Sequence, residues 1–541
     1  MKRSQGTDLA VAESRANPMS TRVGAAAVAA SVVTALALVS CSGGGSAAGG
    51  AGGATGAPVK GGTLTMARSA DIISMDKTTT FDNNSIRVME QIMEPLFHAS
   101  PDGTKVEPWL ATGYQASADG LTYTITLRDG ITFSDGTPMT AADVKFSIDE
   151  NSKTAETGWG FINSAIFSVA ATTPKTVTVK LKYAWAPLIA DLALFANGIV
   201  PNNYGGKTAA QFYAAPVGTG PFVWGGWKKG QSLSVKANPK FWQAGKPYLD
   251  GVTWTVVADA STRKLQVQGG QIDIDDTPDW SSLASLKSTS GVKAVTYPST
   301  QIDYIAFNQK RAPFDDVHIR RAISMVIDRE AMVKAVLFGN GEPAYSLLSP
   351  GTPYFDRAAG GARLDVAGAR AELAKSSKPN GFTTSLLIAS GNPNQASVAQ
   401  IMQSELSAIG ITMTIKPLDP TANKQARLAS DFDMTTSAWT MDIPDPDEWT
   451  SFAVDPTGGS HSAFTYYDNK DVVAINKQAQ KVNDPTKRQE LYSQLQKQVS
   501  QDAFLAYLYY SPYVYAMTDK VGGFSVTPLG TYPLQDVYKT K

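Results

Sequence analysis

The sequence predicts an α/β protein with more than one core. Its 541 residues are enough for two or three domain-sized cores. Segments of strand period and of helix period are interleaved along the chain rather than segregated. Helix caps and turn pairs fall where one type gives way to the other.

Taken in order, the first clear element is Leu121, Tyr123, Ile125 and Leu127 alternating with Thr122, Thr124 and Thr126, the period-two pattern of a half-buried strand. Asp129-Gly130 makes a turn, Ile131 to Phe133 a second short strand, and Asp135-Gly136 another turn. Thr140 with Asp143 three residues later is a capping box, and Val144, Phe146 and Ile148 follow on the helix it opens. Val177 to Tyr183 alternates again as a strand. Asp316 caps a helix from Val317 to Ile327, and Asp328 caps the next, which ends near Gly339. From Asn394 to Ile409 a helix carries Val398, Ile401, Met402, Leu406 and Ile409 on one face; it stops at Gly410 and hands over to the strand Ile411 to Ile415. Asp484-Pro485 opens a last helix with Leu491, Leu495 and Val499 on one stripe. There is no internal repeat.

Composition excludes several functions. Lys plus Arg and Asp plus Glu both number 48, so there is no field of one sign to hold nucleic acid. The histidines are His98, His318 and His461, and Cys41 is the one cysteine, so neither an intrachain disulfide nor a cysteine-based metal or redox site is expected. No cofactor is expected. No G-x-S-x-G, phosphate loop, dinucleotide fingerprint or paired-histidine motif is present, which argues for a binding protein rather than an enzyme. Gly458-Gly459-Ser460-His461, the nearest hint of a catalytic group, reads as a surface loop.

Residues 1–40 read as an export signal. Lys2, Arg3, Arg15 and Arg22 precede an Ala/Val/Leu-rich run from Val23 to Val39, with Met19 an alternative start to Met1. The run ends at Leu38-Val39-Ser40-Cys41, which resembles the lipobox of bacterial lipoproteins. Small residues admit a peptidase, and the Cys41 thiol is the group a diacylglyceryl chain alkylates. Residues 41–58 have the Gly/Ala/Ser composition of a flexible tether.

Several segments, in order and spacing, resemble the extracellular solute-binding proteins of ABC importers for peptides and nickel. They are Pro108-Trp109-Leu110-Ala111, Ser117 to Thr124, Leu127 to Gly130, Phe133 to Thr140, Pro216-Val217-Gly218-Thr219-Gly220-Pro221-Phe222, Asn238 to Trp242, Pro313 to Asp316, and Ile327-Asp328-Arg329. Asp135, Gly218, Gly220 and Asp328 read as turn or cap residues. The resemblance implies a two-lobed fold of the periplasmic-binding-protein type, closing by hinge motion on its solute. It implies a first lobe from 59–105, 216–304 and 513–541, a subdomain inserted at 106–215, and a second lobe at 305–512. The implied protein is a monomer, anchored outside the cytoplasm through Cys41, and its partners are a small solute, an ABC permease and its ATPase.

The resemblance also suggests where a solute sits. Peptide-binding members have a tryptophan and an aspartate spaced as in Trp439-Thr440-Met441-Asp442, and the aspartate holds the peptide's ammonium; Asp442 is the matching residue. Trp439 is placed to cover the ligand, residues 437–441 to pair with it as a strand, and Thr79, Thr80 and Phe81 to meet it from the first lobe. Asp445 and Asp447 read as solvated or turn-capping acids. Dipeptide receptors carry an arginine after the strand that corresponds to Leu386 to Ile388, and here the stretch is Ala389-Ser390-Gly391-Asn392-Pro393-Asn394. An oligopeptide is therefore expected, with a nickel chelate or another non-peptide solute as the alternative.

Overall fold

The computed structural model describes residues 58–540 apart from 156 and 459. The export, lipidation and tether readings at residues 1–57, including Cys41, lie outside the described residues. Three main sheets organise the described chain. A seven-stranded mixed sheet runs in the order Val292–Tyr297, Tyr513–Thr518, Ile274–Asp275, Thr63–Arg68, Gly251–Val256, Ser232–Ala237, Phe222–Lys228. A six-stranded mixed sheet runs Glu342–Pro343, Leu505–Tyr510, Ile302–Phe307, Met434–Trp439, Thr383–Ala389, Thr412–Leu418. A four-stranded antiparallel sheet is built from Ala111–Ala116, Thr122–Leu127, Thr176–Leu181 and Ile166–Thr173.

Each sheet has its own core. Trp254 and Tyr515 lie in the first, Phe307 and Met434 in the second, Ile125 and Val144 in the third. The seven-stranded and six-stranded sheets are joined twice, by the short segments between Tyr297 and Ile302 and between Tyr510 and Tyr513. A polar network ties these two crossovers together. The Ser299 hydroxyl donates to the Ser511 carbonyl, the Ser511 hydroxyl donates to Asp303, and the Gln301 amide donates to Asp303 at 2.9 Å. Burial pushes the Asp303 carboxyl up to about 6.

Local sequence chemistry explains most elements. Thr140 and Asp143 form the capping box of the helix Ala141–Ser152, with the Thr140 N–H donating to Asp143 at 2.7 Å. Asp316, Asp328, Asn392 and Asp484 each cap a helix through a side-chain oxygen. Asp135 accepts the Thr137 N–H in its turn. Gly218 and Gly220 pass so close to the turn after the helix Asn83–Met89 that a Cβ on Gly218 would lie 1.9 Å from the Ile92 carbonyl oxygen and one on Gly220 2.5 Å from that of Gln91, so close packing requires both glycines.

Two strands depart from expectation. Ile131 to Phe133 makes a single bridge, Thr132 to Pro138, instead of a strand, because turns close in on both sides before a ladder can extend. Ile131 and Phe133 nonetheless enter the third core. The strand expected at Ile411 to Ile415 runs to Leu418, through Pro417; it is the outermost strand of its sheet, where a missing N–H is tolerated.

Candidate functional site

The strand Met434–Trp439 has two unequal sides. Along one it pairs with Ile302–Phe307 over its full length; along the other only Met434 and Thr435 pair, with Leu386 and Leu387. From Thr436 to Trp439 that second side has no ladder partner among the described residues, which leaves backbone groups free for an added strand. Ala438 is exposed there, and Ser437 and Trp439 are half-buried. The Trp439 ring stacks on Trp449 (5.2 Å between centroids) and on Phe452 (4.1 Å), yet its indole N–H is sealed from solvent with no partner. Thr440 is half-buried. The Met441 side chain, 1 % exposed, packs in a core on the six-stranded sheet with Tyr304 and Trp449, and its N–H donates to Thr300 Oγ1 at 2.9 Å.

The following loop is fixed from beneath. Asp445 and Arg488 form a buried bidentate pair, with contacts of 2.6 and 2.9 Å. Asp447 opens the helix Asp447–Val454 and accepts from Ser451 and Gln480, both at 2.8 Å. The reading of Asp445 and Asp447 as solvated or turn-capping acids is corrected in its first part: both are buried, and Asp445 accepts the Asp447 N–H at 3.0 Å across the turn in addition to its pairing with Arg488. Glu448, on the same helix, accepts the Asp442 N–H at 2.8 Å and the Ile443 N–H at 3.1 Å, and its carboxyl is also hydrogen-bonded to that of Asp442.

Asp442 lines a cavity of about 400 Å³ together with Glu90 and Tyr532. Glu90 ends the helix Asn83–Met89, and Arg87 lies on its last turn. The Arg87 guanidinium lies 5.7 Å from the ring centroids of both Tyr513 and Tyr532 and makes no contact ion pair among the described residues. Desolvation pushes Asp442 up to about 7, against a hydrogen bond from Glu448 and the pull of Arg87. Desolvation and then Asp442 push Glu90 up to about 8, again opposed by Arg87. Burial and then Asp442 hold Glu448 well above the usual carboxylate range. Burial and mutual proximity thus favour the protonated forms of these three carboxyls, opposed at Asp442 and Glu90 by Arg87.

Of the seven residues the sequence singles out, only Asp442 lines this cavity. Thr79 is exposed. Thr80 is buried, and its carbonyl accepts the Trp159 indole N–H at 2.8 Å; Phe81, 56 % exposed, stacks on the same ring at 4.7 Å. Arg87 and Glu90 escape sequence reading. Their one signal is a pair of opposite charges three residues apart inside the apolar run Ile86 to Met93. The Ala389 to Asn394 stretch is occupied in capping: Asn392 accepts the Gln395 N–H at 3.1 Å, and Gln395 accepts the Ala389 N–H at 2.7 Å. Among the described residues no group of three or more His, Cys, Asp or Glu is placed to hold a metal ion.

Residues 105–461 match the sequence profile of bacterial extracellular solute-binding proteins, family 5 middle. The chain is 31 % identical over 480 residues to the probable D,D-dipeptide-binding periplasmic protein DdpA of Escherichia coli K12, covering 86 % of this chain and 92 % of that one. Its fold is similar to that of the periplasmic binding protein DppA from Helicobacter pylori in complex with the peptide STSA, with a TM-score of 0.80 and 24 % identity over 89 % of this chain and 99 % of that one. It is also similar to the oligopeptide-binding protein AppA from Bacillus subtilis in complex with a nonapeptide, with a TM-score of 0.77 and 24 % identity over 90 % and 100 % of the two chains. The two-lobed fold expected from the sequence is the fold of these proteins.

Proposed function

The chain belongs to family 5 of the bacterial extracellular solute-binding proteins, receptors of ABC importers rather than enzymes, and from that premise we propose that its solute is a peptide of oligopeptide type. The observation that carries the reading is Asp442, which lines a cavity of about 400 Å³ beside a strand whose outer edge is unpaired from Thr436 to Trp439 among the described residues. A peptide shut between lobes brings a desolvated ammonium that needs a carboxylate, and an extended backbone that needs hydrogen-bond partners. Asp442 supplies the first and the 436–439 edge the second, with Trp439 covering the chain. Thr79, Thr80 and Phe81 form the opposing first-lobe contact in this reading. DdpA is named for a D,D-dipeptide, and the two structural relatives hold the peptide STSA and a nonapeptide, so all three are peptide binders.

Binding closes the lobes about the two crossover segments, because the ligand stabilises the form that touches it from both sides. The closed form is then offered to the permease and its ATPase. The protein works as a monomer of about residues 59–541, tethered by residues 41–58 to an acylated Cys41. Cys41→Ser releases the protein from the membrane fraction if the anchor is as proposed. Thermal-shift screening of the purified protein tests the substrate class: short peptides raise the melting temperature, whereas stabilisation by a nickel chelate or a sugar and by no peptide overturns the reading.

A further inference from the structure

The cavity beside Asp442 carries more carboxyl groups than one ammonium needs. Glu90 and Asp442 line it together, and Glu90 Oε2 is sealed from solvent with no hydrogen-bond partner. The rest of the wall does not supply the missing donor. Lys246 is paired with Asp536. Desolvation pushes the His98 imidazole down to about 3, so it is neutral, and its ring stacks on Trp109 at 4.0 Å. Glu94, also on the wall, already accepts from Trp109 at 2.7 Å, Thr219 at 2.7 Å and Trp242 at 3.2 Å. The nearby cation, Arg87, lies against the Tyr513 and Tyr532 rings and makes no contact ion pair with Glu90 or Asp442.

An acceptor without a donor in a closed space is costly, and a carboxyl with free lone pairs is best satisfied by an ammonium or guanidinium group. We infer that Glu90 sets specificity, taking the terminal amino or guanidinium group of a basic first residue while Asp442 holds the α-ammonium of the same peptide. The geometry fits this order along the ligand. The two acids come from opposite lobes and line one cavity, and about 400 Å³ has room for a lysine or arginine side chain to extend from the ammonium site. The preferred solutes are thus peptides with lysine, ornithine or arginine at the amino terminus. This inference rests on the peptide reading of the Asp442 site.

The test is calorimetric titration of the full protein with Ala-Ala-Ala, Lys-Ala-Ala and Ala-Lys-Ala, repeated with Glu90→Gln. In the parent, Lys-Ala-Ala binds about tenfold or more tighter than Ala-Ala-Ala, as expected for one charge-assisted contact in a shielded site, and Ala-Lys-Ala gains no such advantage. In Glu90→Gln the ratio of Lys-Ala-Ala to Ala-Ala-Ala falls to within about twofold. Should Glu90→Gln fail to fold, the comparison of the three peptides on the parent still decides. Equal affinity of the parent for all three, or an advantage shared by Ala-Lys-Ala, overturns the role of Glu90 and leaves the peptide reading standing. Failure of the parent to bind any of the three overturns both.

Discussion

Thr300 and Met441 are joined by a hydrogen bond from the Met441 N–H to Thr300 Oγ1 at 2.9 Å, and the Thr300 N–H donates in turn to the Pro528 carbonyl at 2.9 Å. Thr300 lies in the crossover between the two large sheets, Met441 stands next to Asp442, and Pro528 belongs to the C-terminal segment that walls the cavity. One crossover residue therefore links the proposed ammonium site to the C-terminal segment. Thr300→Val keeps the shape and removes the acceptor, leaving the Met441 N–H buried and unpaired. Urea unfolding is expected to show a loss of about 1 to 3 kcal/mol. A loss within experimental scatter contradicts the link.

The Asp445–Arg488 pair makes a second prediction. Both side chains are 7 % exposed, so Asp445→Ala leaves a buried guanidinium without its partner. The expected loss of stability is about 3 to 5 kcal/mol. Lys470→Ala, which breaks the exposed pair with Asp468, is expected to be close to neutral in the same unfolding assay. Similar losses for the two variants show that the Asp445 pair is not structural.

What the sequence conveys of this molecule divides by range. Alternation in Thr122–Leu127 and the Thr140–Asp143 box depend on neighbours in the chain, and both are legible. The Asp442 segment is singled out through family resemblance alone. Met441 is named as the end of the 437–441 edge, although its side chain turns into the core and its N–H is already given to Thr300 Oγ1. Arg87 and Glu90 are not legible, because only the packing of the lobes brings them opposite a loop some 350 residues later. The burial of Asp445 is hidden for the same reason: its partner Arg488 lies on another helix.

The raised carboxyls predict how stability and binding depend on pH. Asp442 at about 7 and Glu90 at about 8 lie above their ordinary values of 3.8 and 4.5, so the folded protein holds protons that the unfolded chain gives up. Their contribution to stability is therefore full below about pH 4 and is lost as pH rises through about 7 to 8. An arriving ammonium ionises Asp442, so peptide binding at pH 6 releases on the order of one proton, and affinity rises between pH 5 and 7. Calorimetry in buffers of different ionisation enthalpy measures the release. Binding without proton release contradicts the placement of the ammonium on Asp442.

The most direct measurement is a cycle of two ligands against two proteins: Ala-Ala-Ala and its N-acetylated form, titrated into the parent and into Asp442→Ala. An unpaired buried ammonium costs about 3 to 5 kcal/mol, so Asp442→Ala is expected to weaken the free-amine peptide by roughly two to three orders of magnitude. The acetylated peptide is expected to bind the parent poorly and to lose little more in the variant, since the interaction removed is already absent. Equal losses for the two peptides contradict the account, because they show that Asp442 does not read the ammonium.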